Sequence, residues 1–330
     1  MLIMYDIVTF GSATVDVFAS SSSQLIRICN GSECNELLAF KLGTKLLIDD
    51  LRYTVGGGGT NTAAAFSSLG LKTAFVGKIG NSFNAERILT ELKRFRIDTR
   101  YVKKARGPSG FSIILDSHQK DRVILAHKGV NDTLSPKDVP LKDLKTKWIY
   151  SSSLIGTSFD TLKKVTRYAK KNNIDIAFNP STYMVERGAS CLKPVLSDTT
   201  VLIFNREEAG LLTQEIDIHK AFQKIHSMGP RIAVITDGKE GVYASDKKKV
   251  YYMRSKKVKV VDTTGAGDAF AASFITGLIK QKDITFCLKL GIINAVSIIQ
   301  KYGAKDHLLS WQEALNQLKD FKTKAKITAL

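Results

Sequence analysis

The segment Val260-Val261-Asp262-Thr263-Thr264-Gly265-Ala266-Gly267-Asp268-Ala269-Phe270 runs an apolar stretch, expected to be a strand, into a small-residue loop, an acid and a helix. Gly265, Ala266 and Gly267 let backbone N–H groups approach an anion, and a helix continuing to Lys280 aims the positive end of its dipole at the same point. Asp268 then falls in the first turn, beside the anion. A carboxylate repels a phosphate and so does little to bind one, but it is well placed to take a proton from a hydroxyl attacking that phosphate. A plainer reading of the same residues is a capped helix start, with Thr263 or Asp268 as the cap.

A second cluster, Gly56-Gly57-Gly58-Gly59-Thr60-Asn61-Thr62-Ala63-Ala64-Ala65, precedes a helical run to Leu69. Consecutive glycines present bare backbone to something that must come close. Together the two segments resemble the two signatures of the ribokinase-like (PfkB) family of sugar and nucleoside kinases. The early signature, Gly-Gly-x-Gly-x-Asn-x-Ala, is matched by Gly56, Gly57, Gly59, Asn61 and Ala63, and the late one, Asp-Thr-x-Gly-Ala-Gly-Asp, by Asp262 to Asp268. The resemblance extends over about residues 4 to 320.

The resemblance implies an α/β fold, a mainly parallel sheet flanked by helices with a small β lid. It also implies phosphoryl transfer from ATP, with Mg²⁺ and activation by K⁺. Asp268 is then the general base, with Gly265, Ala266 and Gly267 as the anion hole. Asp16, the backbone of Gly57, Gly58 and Gly59, and Asn61 are expected on the hydroxyls of the acceptor, with Asn131 at the lid hinge. Read locally, Asp16 is a loop residue after the first strand, a position where Asp serves turns. On the nucleotide side the resemblance points to Asn205, Glu208, Thr236, Gly238 and Gly241, with Glu208 acting on Mg²⁺ through water. The local alternatives are an acid-rich helix start at Glu207-Glu208 and an Asp-Gly turn at Asp237-Gly238. Asp262 and Thr264 are carried over as ligands of the monovalent cation. Neither Gly77-Lys78 nor Gly238-Lys239 continues into Ser or Thr, which disfavours a P-loop. Three positions depart from the family pattern: Asn81 stands where an acid is usual, Lys78 is an uncommon neighbour, and Gly58 replaces a side chain often found between the early glycines.

The elements that must position these residues follow from periodicity. Strands are expected at Ile3–Phe10, Lys72–Ile79, Trp148–Ser151, Ile174–Phe178, Val201–Phe204 and Arg231–Thr236. Helices are expected at Thr60–Leu69, Phe83–Phe95, Asp160–Asn172, Ile216–Met228 and Trp311–Phe321. The whole chain, 1–330, reads as one domain. Two segments break the alternation, about 37–54 and 110–129, each with two short strand-like runs, such as Phe111–Leu115 and Arg122–Ala126 around a polar Asp116–Asp121 turn. They read either as two surface hairpins or, by the resemblance, as the lid, through which a homodimer is implied. Ser20–Ser23 reads as a turn.

Composition bounds the rest. The chain has 44% hydrophobic residues, enough for a sizeable core, and no apolar run near the ~18 residues that span a bilayer. With no leader pattern it reads as cytoplasmic and not membrane-bound. The cysteines Cys29, Cys34, Cys191 and Cys287 lack metal-ligand spacing and read as free thiols. The net charge of +18 is dispersed, as in Lys163-Lys164, Lys170-Lys171 and Lys247-Lys248-Lys249, without interleaved aromatics, so no nucleic-acid partner is expected. Lys319–Lys326 is the nearest approach to a basic patch. The leading expectation is an ATP-dependent kinase acting on a hydroxyl of a small sugar. A nucleoside kinase shares the motifs, Arg122 and Lys128 would suit a sugar phosphate, and a catalytically silent binding module is the non-enzymatic alternative.

Overall fold

The computed structural model describes residues 4–20, 25–30, 33–116 and 122–330. The expected turns at Ser20–Ser23 and Asp116–Asp121, and the side chains of Cys29, Cys34 and Arg122, fall outside the described part. The first half of the chain forms β1 (Tyr5–Phe10), β2 (Thr14–Ser20), β3 (Leu25–Asn30), β4 (Glu33–Leu38), β5 (Asp50–Gly56), α1 (Gly58–Ser68), β6 (Thr73–Ile79), α2 (Phe83–Arg94), β7 (Val102–Lys104), β8 (Gly110–Asp116) and β9 (Arg122–His127). Then follow β10 (Thr146–Ser151), α3 (Thr157–Lys171), β11 (Asp175–Phe178), α4 (Thr182–Val185), α5 (Gly188–Leu196), β12 (Val201–Asn205), α6 (Arg206–Thr213), α7 (Ile218–Met228) and β13 (Ile232–Thr236). The chain ends through β14 (Val242–Ser245), β15 (Lys249–Met253), α8 (Ala266–Ile279), α9 (Ile284–Ile299), α10 (Trp311–Lys319) and β16 (Lys326–Ala329).

The main sheet has the order β16-β15-β14-β13-β12-β11-β10-β1-β6-β7. From β13 to β7 neighbouring strands are parallel, and β14 to β16 close one edge antiparallel. The central strands are buried on both sides, and Ile7, Val8, Ile149, Ile176, Leu202 and Val234 are wholly inaccessible. This is why they read as continuous apolar runs rather than alternating ones. One face packs on α3, α5, α6 and α7 around Phe10, Leu162, Phe178 and Phe222. The other packs on α1, α8 and α9 around Phe66, Tyr150, Phe274 and Leu290. Helices α8 and α9 are apolar nearly all round because they are covered on nearly every side.

A second sheet, β5-β2-β8-β9, stands apart from the first. Register puts Asp16, Ser112 and Thr54 side by side on one of its faces and Val17, Ile113 and Tyr53 side by side on the other. Three expectations are corrected here. The strand runs looked for within 37–54 do not pair together: β5 pairs with β2, and β4 forms a separate hairpin with β3. Asp16 is therefore a strand residue, not a turn residue. Val260-Val261 is not a strand but a loop, because the Val261 and Asp262 N–H groups donate to the Ile299 carbonyl at the end of α9 instead of to a neighbouring strand. The basic tail adds β16, which pairs with β15 through residues 326–329 and is exposed along its length. Among the described residues no helix is long and apolar enough to cross a membrane.

Candidate active site

The direction in which successive strands are added to the sheet reverses between the parallel strands β1 and β10. Strands β6 and β7 lie beyond β1, and β11 to β13 lie beyond β10. At such a switch point the loops leaving two adjacent strands diverge, and a crevice opens at their carboxyl ends. Ser12 after β1 and Ser152 after β10 line a cavity of about 390 Å³ there.

The floor of this cavity is the start of α8. Gly265 caps the helix at φ +78° and ψ −2°, a left-handed conformation that favours glycine. A Cβ at Gly265 would also meet the Cβ of Ala304 at 2.5 Å. Gly265 and Gly267 line the cavity, whereas the Ala266 N–H turns back to the Thr263 carbonyl at 3.3 Å. The expected three-residue anion hole thus presents two residues to the cavity. Asp268 stands beside them, half-buried, and accepts a hydrogen bond from Asn61 Nδ2 at 2.8 Å. Burial pushes its carboxyl up to about 6, against the Asn61 hydrogen bond and the charge of Lys305, which both favour the ionised form. Asn61 is buried, and its Oδ1 has no hydrogen-bond partner among the described residues. A buried acceptor left open next to a carboxylate suits a hydroxyl donor from a bound molecule.

Of the early glycines, Gly58 faces the cavity, and a Cβ there would lie 3.6 Å from Asp268 Oδ1 and 2.9 Å from Ser152 Cβ. Gly57 is packed on the backbone of Ser12, and Gly59 on Gly11 and Phe75, so these two let α1 approach β1 rather than a ligand. Asp16 is buried, with Oδ1 accepting from Thr14 Oγ1 at 2.9 Å and a further bond from Ser112. Burial raises its carboxyl above the ordinary value, while those bonds and Lys305 oppose the rise. Asn131 lines the cavity, but its side chain is spent on backbone. Its Oδ1 accepts from Ala13 N and its Nδ2 donates to Ala13 O and Lys128 O, each at 3.0 Å. It is a brace between the lid's return segment and the loop after β1, not a group open to a substrate.

On the opposite wall, Asn205, Glu208 and Thr236 line the cavity at the ends of β12 and β13. Asn205 and Glu208 form a reciprocal capping box: Asn205 Oδ1 accepts from Glu208 N at 2.8 Å, and Glu208 Oε2 accepts from Asn205 N at 3.0 Å. The local reading as a helix cap is therefore realised, and a carboxylate held in this way reaches a metal most readily through water. Gly238 and Gly241 shape the turn after β13 but do not line the cavity. Asp262 accepts from Thr264 N at 2.9 Å and Thr264 Oγ1 at 2.6 Å through Oδ1, and from Gly303 N at 3.2 Å through Oδ2, which folds the anion loop. Among the described residues no group of three or more His, Cys, Asp or Glu is arranged to hold a metal. A divalent ion here would depend on phosphate oxygens and water.

Sequence reasoning missed Ser152, Ser112 and above all Lys305, a buried lysine whose ammonium donates to the Val55 carbonyl. Nothing in its local sequence distinguishes it from the many surface lysines. Lys78 and Asn81 are accounted for structurally: Lys78 pairs with Asp138 at 3.0 Å, and Asn81 Oδ1 accepts from Gly107 N at 3.3 Å.

An α/β sheet with a detached lid sheet, an aspartate at a glycine-capped helix start and a cleft at the switch point together define a class. The model for the pfkB family carbohydrate kinases matches residues 12–311, and the chain belongs to that family. It is 34% identical over 244 residues to an uncharacterized sugar kinase of Archaeoglobus fulgidus, covering 73% of this chain and 97% of that protein. It is 31% identical over 268 residues to the ribokinase of Bacillus subtilis, covering 80% and 88% of the two chains. In three dimensions it superimposes on Arabidopsis thaliana ribokinase complexed with ribose and ATP with a TM-score of 0.82, at 22% identity over 96% of this chain and 99% of that one. The Methanocaldococcus jannaschii nucleoside kinase gives a TM-score of 0.78 at 19% identity, with 96% and 99% covered. The chain is accordingly a carbohydrate kinase of the ribokinase-like group, which includes sugar and nucleoside kinases.

Proposed function

We propose that this chain transfers the terminal phosphoryl group of Mg-ATP to a hydroxyl of a small neutral sugar. The observation that carries the reading is the pair formed by Asp268 and Asn61, 2.8 Å apart beside the glycine-capped start of α8. Asp268 takes the proton of the attacking hydroxyl, and the open Oδ1 of Asn61 accepts from a neighbouring hydroxyl of the same acceptor molecule. The backbone at Gly265 and Gly267 and the dipole of α8 offset charge on the transferring group, which is how positioning and electrostatics carry most of such a reaction. Asp16, which like Asp268 lies within reach of the Lys305 charge, binds further hydroxyls. The nucleotide lies along the wall formed by Asn205, Glu208 and Thr236, where Glu208 would hold a bound Mg²⁺ through water and the ion would offset phosphate charge. A monovalent cation, where one is used, lies against the loop held by Asp262 and Thr264.

The test is ADP release from Mg-ATP against a panel of sugars, sugar phosphates and nucleosides, with and without K⁺. Turnover with neutral sugars supports the reading. Turnover confined to nucleosides or sugar phosphates reassigns the acceptor, and silence with a folded protein removes the kinase activity.

A further inference from the structure

Lys305 is 5% exposed, among the buried polar residues rather than on the surface where lysines belong. A buried ammonium is costly unless it is paired and fully hydrogen-bonded. Its hydrogen bond goes to the Val55 carbonyl, near the end of β5, and burial lowers its ammonium to about 8 against the pull of nearby carboxylates. Four carboxylates act on its charge: Glu91 from α2, Asp16 from β2, Asp268 from α8 and its neighbour Asp306. Glu91 and Asp306 already share Arg94, at 2.8 and 3.2 Å. Among the described residues, Lys305 is the cation that bears on both Asp16 and Asp268.

The segment it belongs to joins three parts of the site. The Gly303 N–H holds Asp262, Ala304 packs under Gly265, and Lys305 holds Val55. Val55 pairs with Val15, the residue before Asp16. A single stretch between α9 and α10 therefore touches the start of the anion loop, its capping glycine and the strand pair that carries Asp16.

We propose that Lys305 is a substrate-positioning residue: it pins β5 and β2 over the anion loop through the Val55 carbonyl, and its charge lets Asp16 and Asp268 stand across one acceptor molecule. With one cation against two carboxylates at that end of the site, the acceptor it suits is a neutral polyol rather than a sugar acid or sugar phosphate. This rests on the kinase reading above.

The experiment is steady-state kinetics and thermal melting of the full chain, Lys305→Met and Lys305→Gln, with Mg-ATP and, as acceptors, ribose, fructose, glucose and gluconate. The unaltered chain is expected to use at least one neutral sugar and to discriminate against gluconate. In both variants the acceptor KM should rise about tenfold or more while the ATP KM stays within about threefold. The melting temperature of Lys305→Met should fall, because the Val55 carbonyl and the Asp16 and Asp268 carboxylates lose their cation, so the KM split carries the test. Should Lys305→Met fail to fold, the kinetic split in Lys305→Gln decides. Both KM values moving together, or an unchanged acceptor KM, overturns the inference and leaves the kinase reading standing. No transfer by the unaltered chain to any acceptor overturns both.

Discussion

Asp268 has to be ionised to act as a base, yet it sits where burial favours the protonated carboxyl. Its value of about 6 therefore has two opposite consequences. For activity, kcat/KM should be steady between about pH 6 and 8 and fall about tenfold per unit below 6, read from a pH profile with a neutral sugar. For stability, the folded pKa lies above the unfolded one, so the folded chain holds the proton more tightly, and this group's contribution is lost as pH rises from the ordinary carboxylate range through about 6. Asp268→Asn should thus lower kcat by about 10²–10⁴ with ATP affinity kept, and at pH 8 it should melt no lower than the unaltered chain. Unchanged turnover would remove Asp268 as the base. That an acid stands at this place beside a glycine loop was readable from the motif. That burial raises it and Asn61 steadies it was not, because those effects come from groups far away along the chain.

Elements decide how bare backbone reaches the cavity. A side chain at Gly267 would meet no protein atom within 4 Å, since it would project into open space where an anion is expected. Gly267→Val should therefore keep its melting temperature within a few degrees while the ATP KM rises at least about tenfold. Normal ATP kinetics would show that the loop does not bind phosphate. Asn131 makes the opposite case, with no open polar group but three hydrogen bonds to backbone. Asn131→Leu should lose about 2–4 kcal/mol in denaturant titration, since buried backbone partners are left unsatisfied. Loss of acceptor binding without loss of stability would return Asn131 to the substrate site. Strand and helix positions were legible from periodicity because β1, β6, β10 to β13 and most helices bury whole apolar runs. The local alternative of a turn at Asp16 fails because β2 gets its partners from β5 and β8, and Val260-Val261 was misread as a strand because the end of α9 takes the Val261 and Asp262 N–H groups.

At the scale of the molecule, the lid sheet is two-faced. Asp16 and Ser112 are buried on one face, while Leu51, Tyr53, Ile113 and Leu125 are exposed by between 37% and 52% on the other. Apolar strands left open in this way suit a second copy, and we propose a homodimer through this face. Sedimentation of the unaltered chain should show a dimer at micromolar concentration, and Ile113→Glu should shift it to monomer. A monomer at every concentration would refute the lid dimer. Within the +18 charge some lysines meet acids, as Lys163 with Asp160 at 2.7 Å and Lys170 with Asp198 at 2.8 Å. Local order along the chain was sufficient for the α/β alternation, the two glycine signatures and the acid beside them, because periodicity and backbone freedom are properties of neighbouring residues. The fold alone brought Asn61 to Asp268 across 207 positions and Lys305 to Val55 across 250, since only the crossing of the chain at β1 and β10 makes those residues neighbours.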